Sequence, residues 1–90
     1  MEEMYCRVHG RVQMVMYRDF VRRKANKLAL VGYVKNMPDF TVEVVAQGSR
    51  DTLEKLLTLL HKGSFLAKVS KVDVEWREAK RQYTSFDIVF

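Results

Sequence analysis

The chain has 90 residues, 48% of them hydrophobic, and a formal net charge of +5. That length suits one domain spanning 1–90, near the small end of chains that fold alone, and the composition lies outside the range of disordered chains. No apolar run approaches the ~20 residues of a membrane span. The acidic start Met1-Glu2-Glu3 lacks the basic opening of a signal peptide, and Cys6, the single cysteine, excludes an intrachain disulfide or a cysteine-rich metal site. A cytoplasmic protein is the simplest expectation. Sixteen basic residues suit anionic partners from small phosphates to nucleic acid, although most of them read as solvated face residues.

Tyr5–His9 alternates polar and apolar, with Cys6 and Val8 on one face, and predicts a first strand. Gly10 supplies backbone freedom where that strand ends. Tyr17, Phe20, Val21, Lys24, Ala25 and Leu28 recur at helical spacing and predict a helix over roughly 17–28. Its outer face carries Arg22, Arg23 and Lys27. Val31–Asn36 and Thr41–Gln47 predict two strands around Met37-Pro38-Asp39-Phe40, a hairpin turn by its Pro-Asp content. Asp51 or Ser49 caps a second helix, with Asp51 and Glu54 at the spacing of a capping box. Leu53, Leu56, Leu57 and Leu60 form its buried stripe, and Gly63 ends it. Val69–Trp76 alternates again, and Ser85–Phe90 places Phe86, Ile88 and Phe90 on one face. The order strand, helix, strand, strand, helix, strand, with one added strand, suits an α+β sandwich of two helices on one face of an antiparallel sheet.

The stretch Gly10-Arg11-Val12-Gln13-Met14-Val15-Met16-Tyr17-Arg18 falls at the strand–loop–helix junction. Backbone N–H groups of Val12, Gln13, Met14, Val15, Met16 and Tyr17 at the positive end of a helix form a small anion nest. Arg18, in the first helical turn, opposes the helix dipole, a local cost that a bound anion offsets. Its guanidinium presents a planar fork that matches phosphate bidentately and stays charged. Taken alone, Arg18 reads as a surface arginine like Arg22 and Arg23, and the loop as a connector. It is not a Walker loop, because no G-K-[ST] follows. Asn36 cannot act as a base at neutral pH, yet its amide can hydrogen-bond a water and orient it. On its own it reads rather as the start of the turn. His9 and His61 lack a metal-ligand pattern, and no nucleophilic triad is visible.

These residues resemble the acylphosphatase family. Its signature is G-x-V-Q-G-V-x-[FY]-R, then G-[WY]-V-x-N-x-x-D-G-x-V-E. Gly10, Val12, Gln13, Val15, Tyr17 and Arg18 stand in register with the first half. Gly32-Tyr33-Val34-Lys35-Asn36-Met37-Pro38-Asp39 and Val42-Glu43 match the second. The similarity continues through Gly48, the Leu-rich helix, Gly63, Ala67, Val69, Val74 and Trp76, and so covers essentially the whole chain. The resemblance implies a ferredoxin-like fold and a small hydrolase of acyl phosphates that needs neither metal nor cofactor. Arg18 would bind the phosphate, Asn36 would position the water, and the loop amides would complete the site. Acetyl phosphate-like or bisphosphoglycerate-like substrates are implied. The poverty of other catalytic groups agrees: a carboxylate leaving group needs little protonation, and a loose phosphoryl-transfer transition state asks mainly for charge stabilisation and an aligned nucleophile. Direct attack by water, with no covalent enzyme intermediate, is the expected mechanism. The expected partners are a small acyl phosphate or inorganic phosphate, with no membrane, and the chain is expected to be a monomer.

Three residues depart from the family's habits. Met14 and Phe40 stand where its pattern has glycine, and Met16 fills a position that is often small. If either glycine position requires a left-handed backbone, a larger residue there costs about 1–2 kcal/mol. A flexible methionine can instead turn to solvent or fill a gap. Activity that is retained but reduced is the expectation, and the alternative is a non-catalytic anion-binding module of the same fold. An RNA-binding domain of similar topology is disfavoured. The candidate central strand Thr41–Gln47 has no aromatic stacking residue, and no aromatic-rich RNP pattern is present.

Overall fold

The computed structural model describes residues 1–90, apart from the side chain of Val15. Its elements are β1 (Glu2–Arg11), α1 (Val15–Lys27), β2 (Val31–Asn36), β3 (Val42–Gly48), α2 (Arg50–Lys62), β4 (Lys68–Glu78) and β5 (Phe86–Val89). Every expected element is present. The boundaries shift at α1, which opens at Val15, and at β1 and β4, which extend beyond Tyr5–His9 and Val69–Trp76 at both ends.

The five strands lie in the order β4-β1-β3-β2-β5. β1 pairs antiparallel with β3 and β4, and β2 pairs antiparallel with β3. These four make the expected antiparallel sheet. β5 adds a parallel edge beside β2, so the whole sheet is mixed. The cause is the connection. β4 and β5 occupy opposite edges, and the segment between them crosses the end of the sheet where Gln47 meets the Arg81 carbonyl and the Tyr83 amide.

Period-two alternation places Met4, Cys6 and Val8 of β1, Val34 of β2, and Val42, Val44 and Ala46 of β3 on one buried face. Tyr17, Val21 and Ala25 of α1 and Leu53, Leu56 and Leu60 of α2 close over it at helical spacing. Each large apolar side chain so buried contributes about 1.5–3 kcal/mol. A one-residue slip of β1 would exchange Cys6 and Val8 for Arg7 and His9, so this face also sets the register. Burial pushes the Cys6 thiol up to about 12, which makes it an inert core residue. The opposite face is polar: Glu43 accepts hydrogen bonds from the Tyr5 and Tyr33 hydroxyls at 2.9 and 2.8 Å. No helix of the described residues is long and apolar enough to cross a membrane.

Ser49 is the cap of α2, its hydroxyl accepting from the Thr52 amide, so the Asp51–Glu54 capping box is not the device used. Asp51 instead sits in the first turn, where its charge suits the helix dipole. At the exit of β1 the pairing with β4 shifts between His9 and Gly10. Gly10 takes a φ of +125°, and a Cβ there would lie 2.1 Å from the Lys68 carbonyl oxygen. Gly10→Ala is expected to cost roughly 2–4 kcal/mol of stability through backbone strain and overpacking. A urea titration against the parent chain measures it, and a change below about 0.5 kcal/mol, the range of ordinary surface substitutions, would contradict that account.

Candidate active site

The two helices have the same length, 13 residues, and opposite N-terminal chemistry. α2 has a serine cap and an acid in its first turn. α1 has Met14 as its N-cap, no side-chain capping hydrogen bond and no acid. A missing cap costs about 1 kcal/mol, and Arg18 adds an unfavourable charge of roughly 0.3–1 kcal/mol. The N-terminus of α1 is therefore poised for a negative charge that the chain does not supply.

The amides of Gln13 and Met14 find no backbone or side-chain acceptor among the described residues. The Tyr17 amide is differently placed: it donates to the Met14 carbonyl at 3.0 Å, inside the first turn. Its ring belongs to the core, fully buried, and its hydroxyl donates to the Leu60 carbonyl at 3.1 Å. Tyr17 thereby pins the start of α1 to α2, and burial raises its hydroxyl above the ordinary range. Val12 is likewise fully buried in the core. Met16 is half exposed on the first turn, and Val15 opens the helix.

Gln13 does more than lend a backbone amide. Its side-chain amide donates to the Met37 carbonyl at 2.6 Å and to the Thr41 carbonyl at 2.8 Å. The loop is thus tied to the β2–β3 turn, and the end of β2 carries Asn36. Sequence reading missed this bridge, because a polar residue in a loop carries no mark of what it will reach. The turn is braced from its other side. Met37 donates to the Thr41 carbonyl at 2.9 Å, Thr41 donates to Asp39 from its amide and its hydroxyl, and Arg7 reaches Asp39 at 3.2 Å.

Both side chains singled out for chemistry hold an unanswered polar atom. Asn36 Oδ1 and Arg18 Nε are buried and have no hydrogen-bond partner among the described residues. A buried polar group left without a partner costs ~1–3 kcal/mol, so such atoms ask for an explanation. A carboxamide oxygen accepts a hydrogen bond from water, and a guanidinium N–H donates to an oxyanion. The Arg18 guanidinium lies 5.1 Å from the centre of the Phe90 ring.

The two lost glycines behave differently. Met14 has φ −114° and ψ 148°, an extended conformation open to any residue, so the strain expected there is absent. Phe40 has φ +72° and does carry it. Phe40→Gly is accordingly expected to gain about 1 kcal/mol, read from urea midpoints, whereas Met14→Gly should gain nothing by this route. Asp39 offers a second check. Hydrogen bonds from Thr41, then the Arg7 charge, hold its carboxyl below the ordinary range. A carboxylate depressed on folding stabilises the fold above its unfolded pKa of ~3.9 and loses that contribution as pH falls through the lower folded value. Asp39→Asn should therefore flatten the fall of stability below about pH 4, as measured by denaturation at stepped pH.

Comparison with known proteins identifies the family and the fold. The family model described as Acylphosphatase matches residues 4–88. An acylphosphatase of Mycobacterium sp. (strain KMS) is 48% identical over 79 residues, covering 88% of this chain and 84% of that one. The crystal structure of acylphosphatase from Bacillus subtilis superposes with a TM-score of 0.96 at 34% identity, over 100% of both chains. An acylphosphatase structure from Coxiella burnetii gives 0.91 at 38% identity, over 98% of this chain and 93% of that one.

Proposed function

The chain belongs to the acylphosphatase family, and on that premise we propose how its residues hydrolyse the carboxyl–phosphate bond of an acyl phosphate. The α1 N-terminus and Arg18 take the phosphoryl group, with the loop amides donating to its oxygens. Asn36 Oδ1 accepts a hydrogen bond from water and turns a lone pair of that water toward phosphorus. A water–phosphorus bond forms as the bond from phosphorus to the acyl oxygen breaks. The electron pair leaves on the carboxylate, and the proton released by water passes to phosphate or solvent. A carboxylate leaves without a proton donor, which is why a site with no acid, no base and no nucleophilic side chain is sufficient.

The observation that carries this reading is that two of the four buried side-chain atoms without a partner among the described residues, Asn36 Oδ1 and Arg18 Nε, lie on segments that Gln13 ties together. Alignment of a nucleophile is worth up to about 7–11 kcal/mol at ideal geometry, far more than the ~1–3 kcal/mol spent on each unpaired atom. The purely anion-binding alternative rested on the replacements at Met14 and Phe40, of which Met14 is unstrained and Phe40 strained. The proposal extends to a metal-independent monomer in a reducing compartment such as the cytoplasm, which its free, buried Cys6 suits.

Benzoyl phosphate hydrolysis with a chelator present tests it. Turnover is expected, with Asn36→Ala lowering kcat by roughly 100-fold or more and Arg18→Ala lowering kcat/KM by at least as much. In ¹⁸O-labelled water the label should appear in phosphate and not in benzoate. Label in the carboxylate, or a trapped phosphorylated enzyme, would refute direct attack at phosphorus.

A further inference from the structure

Three of the segments that border the candidate site each carry a large apolar side chain exposed to solvent. Phe90 is 92% exposed, Phe40 77% and Met16 52%. Each comes from a different segment that borders the phosphate cradle. Met16 follows the N-terminal residue of α1, Phe40 lies in the turn that Gln13 grips, and Phe90 directly follows β5. β5 runs parallel to β2 with Val89 opposite Lys35, so the next residue, Phe90, falls beside Asn36. Its ring also lies over the Arg18 guanidinium. Phe90 therefore touches one of the two candidate residues, Arg18, and follows the strand position next to the other.

Alternation along β5 would make Phe90 a core residue after Phe86, which is 3% exposed. It is instead exposed, with its ring over Arg18. Phe40 keeps a strained left-handed backbone while presenting its ring to water, so neither its backbone nor its side chain gains from the fold. Exposed apolar surface gathered around a polar, charge-binding centre is the pattern of a ligand site with a charged head and an apolar body.

We propose that this mouth selects acyl phosphates whose acyl group is apolar and extended, with Phe90 as the principal contact. The inference rests on the hydrolytic reading above and deepens it. The phosphoryl group enters the cradle, and the hydrocarbon lies against Phe90, with Met16 and Phe40 at its margins. Water attacks phosphorus as before, and the products are an apolar carboxylate and phosphate.

The test compares kcat/KM for octanoyl phosphate and acetyl phosphate. The parent chain should prefer octanoyl phosphate by about 30-fold, from partial burial of the added methylenes. Phe90→Ser should lower that ratio about tenfold, chiefly through KM for the long substrate, while Phe90→Leu retains most of it. Phe40→Asn, which tolerates a left-handed backbone, should lower it less. Loss of both substrates in equal proportion would mean that Phe90 only steadies Arg18, and would overturn the proposal. So would a parent ratio near one, including the case in which sedimentation shows a dimer that Phe90→Ser dissociates. If neither substrate turns over, the hydrolytic reading fails separately. Titration calorimetry with (2-oxononyl)phosphonate and (2-oxopropyl)phosphonate then decides this one. Tighter binding of the long compound, lost in Phe90→Ser, upholds the apolar mouth, and equal binding refutes it.

Discussion

The site depends on one side chain bridging two segments that are distant in sequence. Gln13 donates through a single amide to the carbonyls of Met37 and Thr41, and so holds the loop before α1 against the turn beside Asn36. Each such bond is worth only about 0.5–1.5 kcal/mol to stability. Its consequence for geometry is larger. Arg18 is carried by a helix and Asn36 by a strand, and chemistry at phosphorus tolerates little error in where they stand relative to each other. The turn is braced on its far side by Thr41, Asp39 and Arg7, so that Gln13 pulls against something fixed.

The scaffold keeps the site under a local electrostatic deficit. α1 begins without a cap and without an acid, and an arginine sits in its first turn. Asn36 Oδ1 and Arg18 Nε are buried without partners. These features cost a few kcal/mol in sum by the magnitudes for lost caps and unpaired polar groups. The core is what makes them tolerable: Tyr17 is buried one residue before Arg18 and hydrogen-bonded to α2, so the start of α1 is held by packing and does not depend on its cap. α2, which has no such task, is capped in the ordinary way.

Much of this was legible in the residues. Alternation in Cys6 and Val8, the leucine stripe of α2 and the Pro-Asp turn placed every element and the helix-bearing face. Spacing around Arg18 and Asn36, read through the family resemblance, named both candidate side chains. Other features were not legible. The parallel edge strand depends on where a connecting segment crosses the sheet, and no local pattern records that. Met14 and Phe40 looked alike as lost glycines, yet only one stands at a positive φ. The backbone angle at each is set by the path of the chain around it.

The sequence by itself determined the order of elements, the buried face and the positive end of α1. Each of these follows from periodicity or from the chemistry of a residue and its near neighbours. Only the tertiary structure decided that Gln13 reaches across to the Met37 carbonyl, that the Tyr17 amide belongs to the helix, and that Phe90 lies over Arg18. These are contacts between residues far apart in the chain. Their distances come from sheet pairing and core packing, which no local run of residues specifies.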